Sequence, residues 1–378
     1  MTALRFSGPV LPDGEVRDLY VLDGRITYER PSGAETGASG WIVPGLVDAH
    51  CHIGLGRDGA VDQETAEAQA IADRDAGALL LRDAGSAADT RWVQSRDDLP
   101  RLIRAGRHIG RTKRYMRNYA DEVEPDGLAE AVERQARSGD GWVKLVGDWI
   151  DRAEGDLKPS FPAESFAEAI KVAHDNDARV TAHCFGREVL PGLIEAGIDC
   201  IEHGTGLTPD LVEAMAEQGT ALVPTVAQLE IFPELAAAAA PKFPTYAATM
   251  EDLYARRRET IMSAYEAGVA LYAGSDGAGD QLHGVLPTEV LAMHRLGLPA
   301  DVVLSAASLA RAGVARPQTP ASPRATRPTS SSTTPTPSRT SASWPARLPS
   351  SCGGPSTPER RRGSGAPRGG TSPGRSCA

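Results

Sequence analysis

The 378-residue sequence has no apolar run approaching the ~18 residues that a membrane-spanning helix requires. Its opening, Met1-Thr2-Ala3-Leu4-Arg5, lacks the basic segment and apolar stretch of a secretory leader. Five irregularly spaced cysteines form no disulfide framework. A cytoplasmic, reducing location is the simplest expectation. No G-x-G-x-x-G follows the first strand, so the usual dinucleotide signature is missing. The formal net charge of -10 argues against nucleic acid as a partner. What is expected instead is a small-molecule substrate, with neither nucleic acid nor membrane involved and self-association left open.

The remainder is ordinary for a globular chain, with 41% hydrophobic and 24% charged residues. Residues 1–43 hold short β-type runs, Leu19-Tyr20-Val21-Leu22 and Arg25-Ile26-Thr27-Tyr28, around turn signals such as Asp23-Gly24. They read as a small, incomplete β domain resembling part of a sandwich. From 44 to about 312, strand and helix patterns alternate, which predicts parallel strands with crossover helices. Candidate strands lie near 42–49, 78–84, 101–109, 142–147, 179–184, 198–203, 220–226 and 269–276. Helices are expected over Glu64–Ala76, Gly127–Ser138, Ala163–Asp175, Pro209–Gln218 and Tyr246–Ala267. This count suits a closed (β/α)8 barrel, in which functional residues sit at the C-terminal strand ends.

Residues 313–378 break the pattern. They contain about ten arginines, one acid (Glu359) and no lysine, with Pro, Ser, Thr, Gly and Ala making up most of the rest. Without apolar periodicity such a segment builds no core and is expected to be disordered. It reads as a basic tail, a linker, or the product of a frameshift in a GC-rich gene. The last is favoured, because the break falls where a barrel of this type still needs closing strands.

The chemistry-bearing residues gather at predicted strand ends. The first strand ends in His50-Cys51-His52, where residues two apart share a face, so both imidazoles point to the mouth and Cys51 points away. Paired imidazoles suit zinc, nickel or iron. Further strands end in Val180-Thr181-Ala182-His183, Ile201-Glu202-His203-Gly204 and Gly274-Ser275-Asp276-Gly277. Of eight histidines, four fall at these ends, which random placement would seldom produce. Lys144 lies inside Trp142-Val143-Lys144-Leu145-Val146, where burial disfavours an ammonium. A neutral amine there can take up carbon dioxide as a carbamate and bridge two metals. The plainer alternatives are a lysine that reaches solvent or one paired with a carboxylate.

Together these segments resemble the amidohydrolase superfamily, and more closely its imidazolonepropionase-like branch, over about residues 1–311. Val43-Pro44-Gly45-Leu46-Val47-Asp48-Ala49-His50-Cys51-His52 carries the most specific likeness. The resemblance implies two divalent ions, zinc first among candidates. His50, His52 and Asp276 would hold one, His183 and His203 the other, and carboxylated Lys144 would bridge them. It implies hydrolysis of an amide, peptide or cyclic amide C–N bond by metal-activated hydroxide, with Asp276 as general base and then acid. Cleavage of main-chain bonds in proteins is not expected. The rival readings are a mononuclear deaminase or ring-opening hydrolase of a heterocycle, in which Lys144 is a plain amine, and an inactive product of a frameshifted gene. Arg114, Tyr115 and His283 are candidate substrate contacts. Arg82 and Asp83 are expected to pair with each other at the barrel rim. His108, His174 and His294 have no predicted partner, and Cys51, Cys184 and Cys200 should behave as small buried apolar groups.

Overall fold

The computed structural model describes residues 3–11, 13–279 and 282–308. The tail expected over 313–378 lies outside them. Near the N-terminus, Leu4–Val10, Glu15–Leu22, Arg25–Thr27 and Glu35–Ser39 form a four-stranded sheet. The first two strands are antiparallel over their whole length, and Leu4–Val10 also pairs in parallel with Glu35–Ser39. This sheet is thinly covered: Val16 is 77% exposed and Trp41 at its exit is 68% exposed.

Beyond it the chain is mixed α/β, with parallel strands laid side by side in sequence order. Leu46–Cys51 pairs with Ala78–Asp83, and that strand with Arg101–Arg104. Trp142–Val146, Arg179–Cys184, Cys200–His203 and Ala221–Val223 follow one another in the same way. Two junctions join the sets. The amide of Asp140 donates to the carbonyl of Arg104 at 2.8 Å, and Ile109 pairs with Leu145. On the other side the segment 270–277 runs between Ala221–Val223 and Leu46–Cys51, through Tyr272 N to Leu222 O at 3.0 Å and Ala49 N to Ala273 O at 2.9 Å. The hydrogen bonds therefore return to the strand from which they started.

The sequence expectation for 269–276 was a regular strand, but only isolated bridges at Leu271 and Gly277 form there. Likewise 101–109 divides into Arg101–Arg104 and Ile109–Arg111, separated by an irregular stretch that includes the left-handed Gly106 at φ 73. The helices Gln63–Asp75, Leu128–Ser138, Ala163–Asp175, Pro209–Gln218 and Pro244–Glu266 fall within two residues of expectation. Leu128, Ala131, Val132 and Ala136 show why: spaced by one turn, they bury a single stripe of their helix. The hairpin Asp148–Asp151/Asp156–Pro159 and the helices Phe232–Ala239 and Leu286–Leu296 were not anticipated. No helix among the described residues is long and apolar enough to cross a membrane.

The inside of the ring is not uniformly apolar. Strand residues two apart share a face, so Leu80 with Arg82, Trp142 with Lys144 and Cys200 with Glu202 each place an apolar group below a charged one. Leu80, Trp142 and Cys200 belong to one buried cluster with Val47, Ala49, Ile103 and Val223. Arg82 lies over the Trp142 ring at 4.5 Å, in cation–π geometry. Above this floor the ring carries charge and imidazole, and there the functional residues meet.

Candidate metal centre

His50 and His52 sit at the end of the first barrel strand with their Nε2 atoms 3.1 Å apart. Asp276 Oδ1 approaches both, at 3.0 Å from His50 and 3.4 Å from His52. One ligand atom from each of the three lies within 4.8 Å of the others. Asp48, fully buried, binds the two carriers together, since its Oδ1 accepts from the amides of His50 at 3.1 Å and Ser275 at 3.0 Å. Burial pushes the Asp48 carboxyl up to about 7. Gly274 must be glycine for this approach, because a Cβ there would meet the Cβ of His50 at 2.6 Å. Cys51, between the two histidines, points away with its Sγ toward the Arg82 carbonyl, and its buried thiol is pushed well up.

The His183 and His203 rings lie 4.7 Å apart, and His203 lies 5.4 Å from His50, so the four imidazoles form one cluster. Burial holds His203 neutral, its value falling to about 3, and drives His50 and His183 down as well. Neutral rings are what metal ligation requires. Their outer nitrogens are anchored: His52 Nδ1 lies 2.7 Å from the Gly85 carbonyl, and His203 Nδ1 lies 2.7 Å from Thr225 Oγ1. A ring that donates from Nδ1 leaves the Nε2 lone pair for a cation. His183 Nε2 is buried without a hydrogen-bond partner.

His203, Asp276 and Thr225 have left-handed backbone at φ 65, 53 and 46, which costs energy in a non-glycine residue. At His203 this turn has a visible effect. Simple alternation would send Glu202 and His203 to opposite faces, yet both turn inward.

Lys144 is buried, and its Nζ forms a close ion pair with Glu202 Oε2. Glu202 also meets Arg82 Nη2 at 3.2 Å, accepts from Thr181 Oγ1 at 2.8 Å, and faces His50 Nδ1 at 3.7 Å. The expected Arg82–Asp83 pair is thus corrected to Arg82–Glu202. Neighbouring strand residues point to opposite faces, and Asp83 Oδ1 instead accepts from the Gly85 amide at 2.9 Å.

Of the candidate substrate contacts, Tyr115 reaches the cluster, with its ring 6.0 Å from His183 and 5.3 Å from His108. Trp149 and Phe185 complete an aromatic wall around His183, at 5.3 Å and 4.3 Å. Arg114 is engaged elsewhere: it meets Asp151 at 3.1 Å and donates to the carbonyls of Trp149 and Lys158, clamping the hairpin. His283 Nδ1 pairs with the buried Asp73 at 2.8 Å. The three histidines without predicted partners all have one: His174 binds Asp199 at 2.9 Å, His294 binds the Leu298 carbonyl at 2.9 Å, and His108 Nδ1 faces the Gly85 carbonyl at 3.4 Å. A cavity of about 490 Å³ lined by Asp148, Lys158, Gly186 and Asp252 lies to one side and includes none of the clustered ligands.

Sequence reading missed Glu202, Asp48 and Thr225 as partners of the cluster. Asp48 shares its strand face with His50 and His52, a usable signal, whereas alternation from an inward His203 would have turned Glu202 outward. Thr225 gave none, because its role depends on a backbone conformation.

The sequence profile of the Amidohydrolase family matches residues 41–313. An uncharacterized protein of Mycobacterium bovis is 55% identical over 306 residues, covering 80% of this chain and 82% of that protein. Among solved structures, a Xaa-Pro dipeptidase with bound methionine superposes with a TM-score of 0.68 at 23% identity, covering 83% of this chain and 88% of the other. Aspergillus niger ochratoxinase superposes with a TM-score of 0.65 at 20% identity, covering 84% and 85%. These neighbours imply a TIM-barrel fold, in keeping with the ring of parallel strands. The family match covers most of the chain and takes in the histidines, the lysine and the aspartate of the cluster: the chain belongs to the amidohydrolase family.

Proposed function

We propose that the chain is a metal-dependent hydrolase that cuts a C–N bond in a small amide, such as an N-acylated amino acid, a dipeptide or a cyclic amide. The observation that carries this reading is the convergence of His50 Nε2, His52 Nε2 and Asp276 Oδ1. His52 has its Nδ1 against a carbonyl, so its Nε2 brings a lone pair toward a carboxylate. Acceptors crowded in this way are satisfied by a cation. In this reading His50, His52 and Asp276 would hold one divalent ion and His183 and His203 a second, with Lys144, as a carbamate, an added ligand between the two groups.

Bound divalent ions would supply Lewis acidity, making water easier to deprotonate and a carbonyl more electrophilic. The rest falls to the chain. Asp276 takes the proton from the attacking water and delivers it to the departing nitrogen. Its carboxylate touches both His50 and His52, beside the place an ion would take, so one group can make both transfers. Tyr115, Trp149 and Phe185 form an apolar wall that orients the substrate and keeps bulk water away. The products are a carboxylate and an amine. Dipeptides enter the substrate class because a dipeptidase is among the structural neighbours.

A second reading has its own observation. The Lys144 ammonium paired with Glu202 is not an amine ready for carbon dioxide. If that pair persists in the working protein, a single ion remains at His50, His52 and Asp276, and the chemistry shifts toward deamination or ring opening of a heterocycle. Elemental analysis separates the two: about two equivalents of zinc support the binuclear reading and about one the mononuclear reading. A screen of acylated amino acids, dipeptides, lactams and carbamates against the zinc- or manganese-loaded protein identifies the reaction. Absence of both bound metal and hydrolysis in soluble, cooperatively folding protein overturns the enzyme reading and leaves the product of a damaged gene.

A further inference from the structure

Glu289 is buried in the helix Leu286–Leu296, which follows the segment carrying Asp276 and lies far along the chain from His203. Its two carboxylate oxygens accept hydrogen bonds from the amides of Val226 at 2.8 Å and Ala227 at 2.7 Å. Those amides open the short helix Val226–Leu229, which begins immediately after Thr225.

A threonine in the position before a helix would ordinarily bind the second or third amide of that helix with its own hydroxyl. Thr225 does not: its side chain makes no capping bond, and its Oγ1 faces His203 Nδ1 at 2.7 Å. Its backbone sits at φ 46, an unfavourable conformation for a β-branched residue. Something else must satisfy the free amides and hold the strained turn. Glu289 does both, since a carboxylate with one oxygen on each of two successive amides fixes the direction in which the chain leaves Thr225. The chain of contacts therefore runs from Glu289 to the 226–227 amides, through the Thr225 backbone, to the hydroxyl that faces His203. All three side chains are fully or almost fully buried, so water cannot substitute along the way.

We infer that Glu289 is a positioning residue for His203: by capping the turn at Val226 and Ala227 it frees the Thr225 hydroxyl to accept from His203 Nδ1, leaving Nε2 for a metal ion. The inference rests on the reading of His203 as a ligand, but its first test needs no metal. In metal-free protein with ¹⁵N-labelled histidine, the His203 proton is expected on Nδ1 in the wild type. It should redistribute toward Nε2 in Glu289→Gln, which puts an amide NH2 against one backbone N–H. Thr225→Val should redistribute it likewise, and Thr225→Ser should keep the wild-type tautomer. Zinc titration by calorimetry should then show the ion at His203 bound ~10–100-fold more weakly in Glu289→Gln and in Thr225→Val. The double variant should lose little more than either alone. Glu289→Asp, which keeps the carboxyl group but shortens the reach, takes the place of Glu289→Gln if that variant does not fold. A wild-type tautomer and wild-type zinc affinity in the Glu289 variants, with only a lowered Tm, would make Glu289 a structural cap and overturn the inference. Failure of the wild type to bind zinc would overturn the ligand reading of His203, while the tautomer measurement would still decide whether Glu289 orients the ring.

Discussion

On one side of the cluster, His50, His52 and Asp276 bring their ligand atoms within 4.8 Å of each other, held by Asp48 and by the close approach of Gly274. On the other side, His183 and His203 face each other, but the lysine that would complete the set is bound to Glu202. The first side is preassembled by main-chain hydrogen bonds between neighbouring strands. The second, under the binuclear proposal, would need a lysine that changes its chemistry, and it relies on side chains borrowed from distant elements. Preassembly costs strain and polar burial at folding, and leaves little to reorganise when an ion arrives.

The sharpest way to break this comparison is Asp276→Asn. It removes the proton carrier and a ligand of the preassembled side together, and kcat for hydrolysis of the best substrate should fall by ~10²–10⁴. Steady-state rates on metal-loaded protein check this, and an unchanged kcat would refute the role assigned to Asp276.

Lys144→Ala should act on the other side alone, lowering bound zinc from about two equivalents to about one while the ion at His50 and His52 stays. Because Glu202 loses a buried partner, stability should also fall by ~3–5 kcal/mol. Adding Glu202→Gln should lower stability further, because the buried Arg82 then loses its carboxylate, and should not restore the second ion. Metal counting beside chemical denaturation separates the two effects, and full zinc content in Lys144→Ala would dismiss the bridge.

His203 should cost the metal-free protein stability as pH falls from 6.5 toward about 3, because its ring is neutral when folded and protonated when unfolded. For that group the unfolded chain binds more protons, so its share of the unfolding free energy rises with pH, whereas the buried Asp48 carboxyl, raised to about 7, contributes in the opposite direction. Urea denaturation of the wild type and of His203→Gln at several pH values isolates the share of the histidine. An identical pH slope in the two proteins would mean that this ring is already charged in the fold. The smallest effect is expected for Cys51→Ala. This residue lies between the two histidines but faces away from them, so zinc content should not change and stability should fall by no more than ~1–2 kcal/mol.

The ligand strands were legible in the sequence because each polar residue ends an apolar run, and barrels gather such ends at one mouth. Tyr115 could be placed in a loop after the third strand, but not against His183. Arg114 looked equally suited to that mouth, yet the unforeseen hairpin Asp148–Pro159 engages its guanidinium. The Arg82–Asp83 pairing failed because adjacency in sequence was read as adjacency in space, which a strand denies. Glu202 was not legible, since alternation opposes it to His203 and its partners Arg82, Thr181 and Lys144 come from three other strands. Thr225 and Glu289 were silent, because nothing in the sequence announces a left-handed threonine.

Left-handed backbone at His203 and Asp276 sets stability and chemistry against each other at the same two positions. Glycine would relax either turn and remove a side chain of the proposed metal centre with it. Drift under selection for folding alone would therefore erode the cluster there first, and stabilising mutagenesis scored only by melting temperature would arrive at sturdy barrels without it.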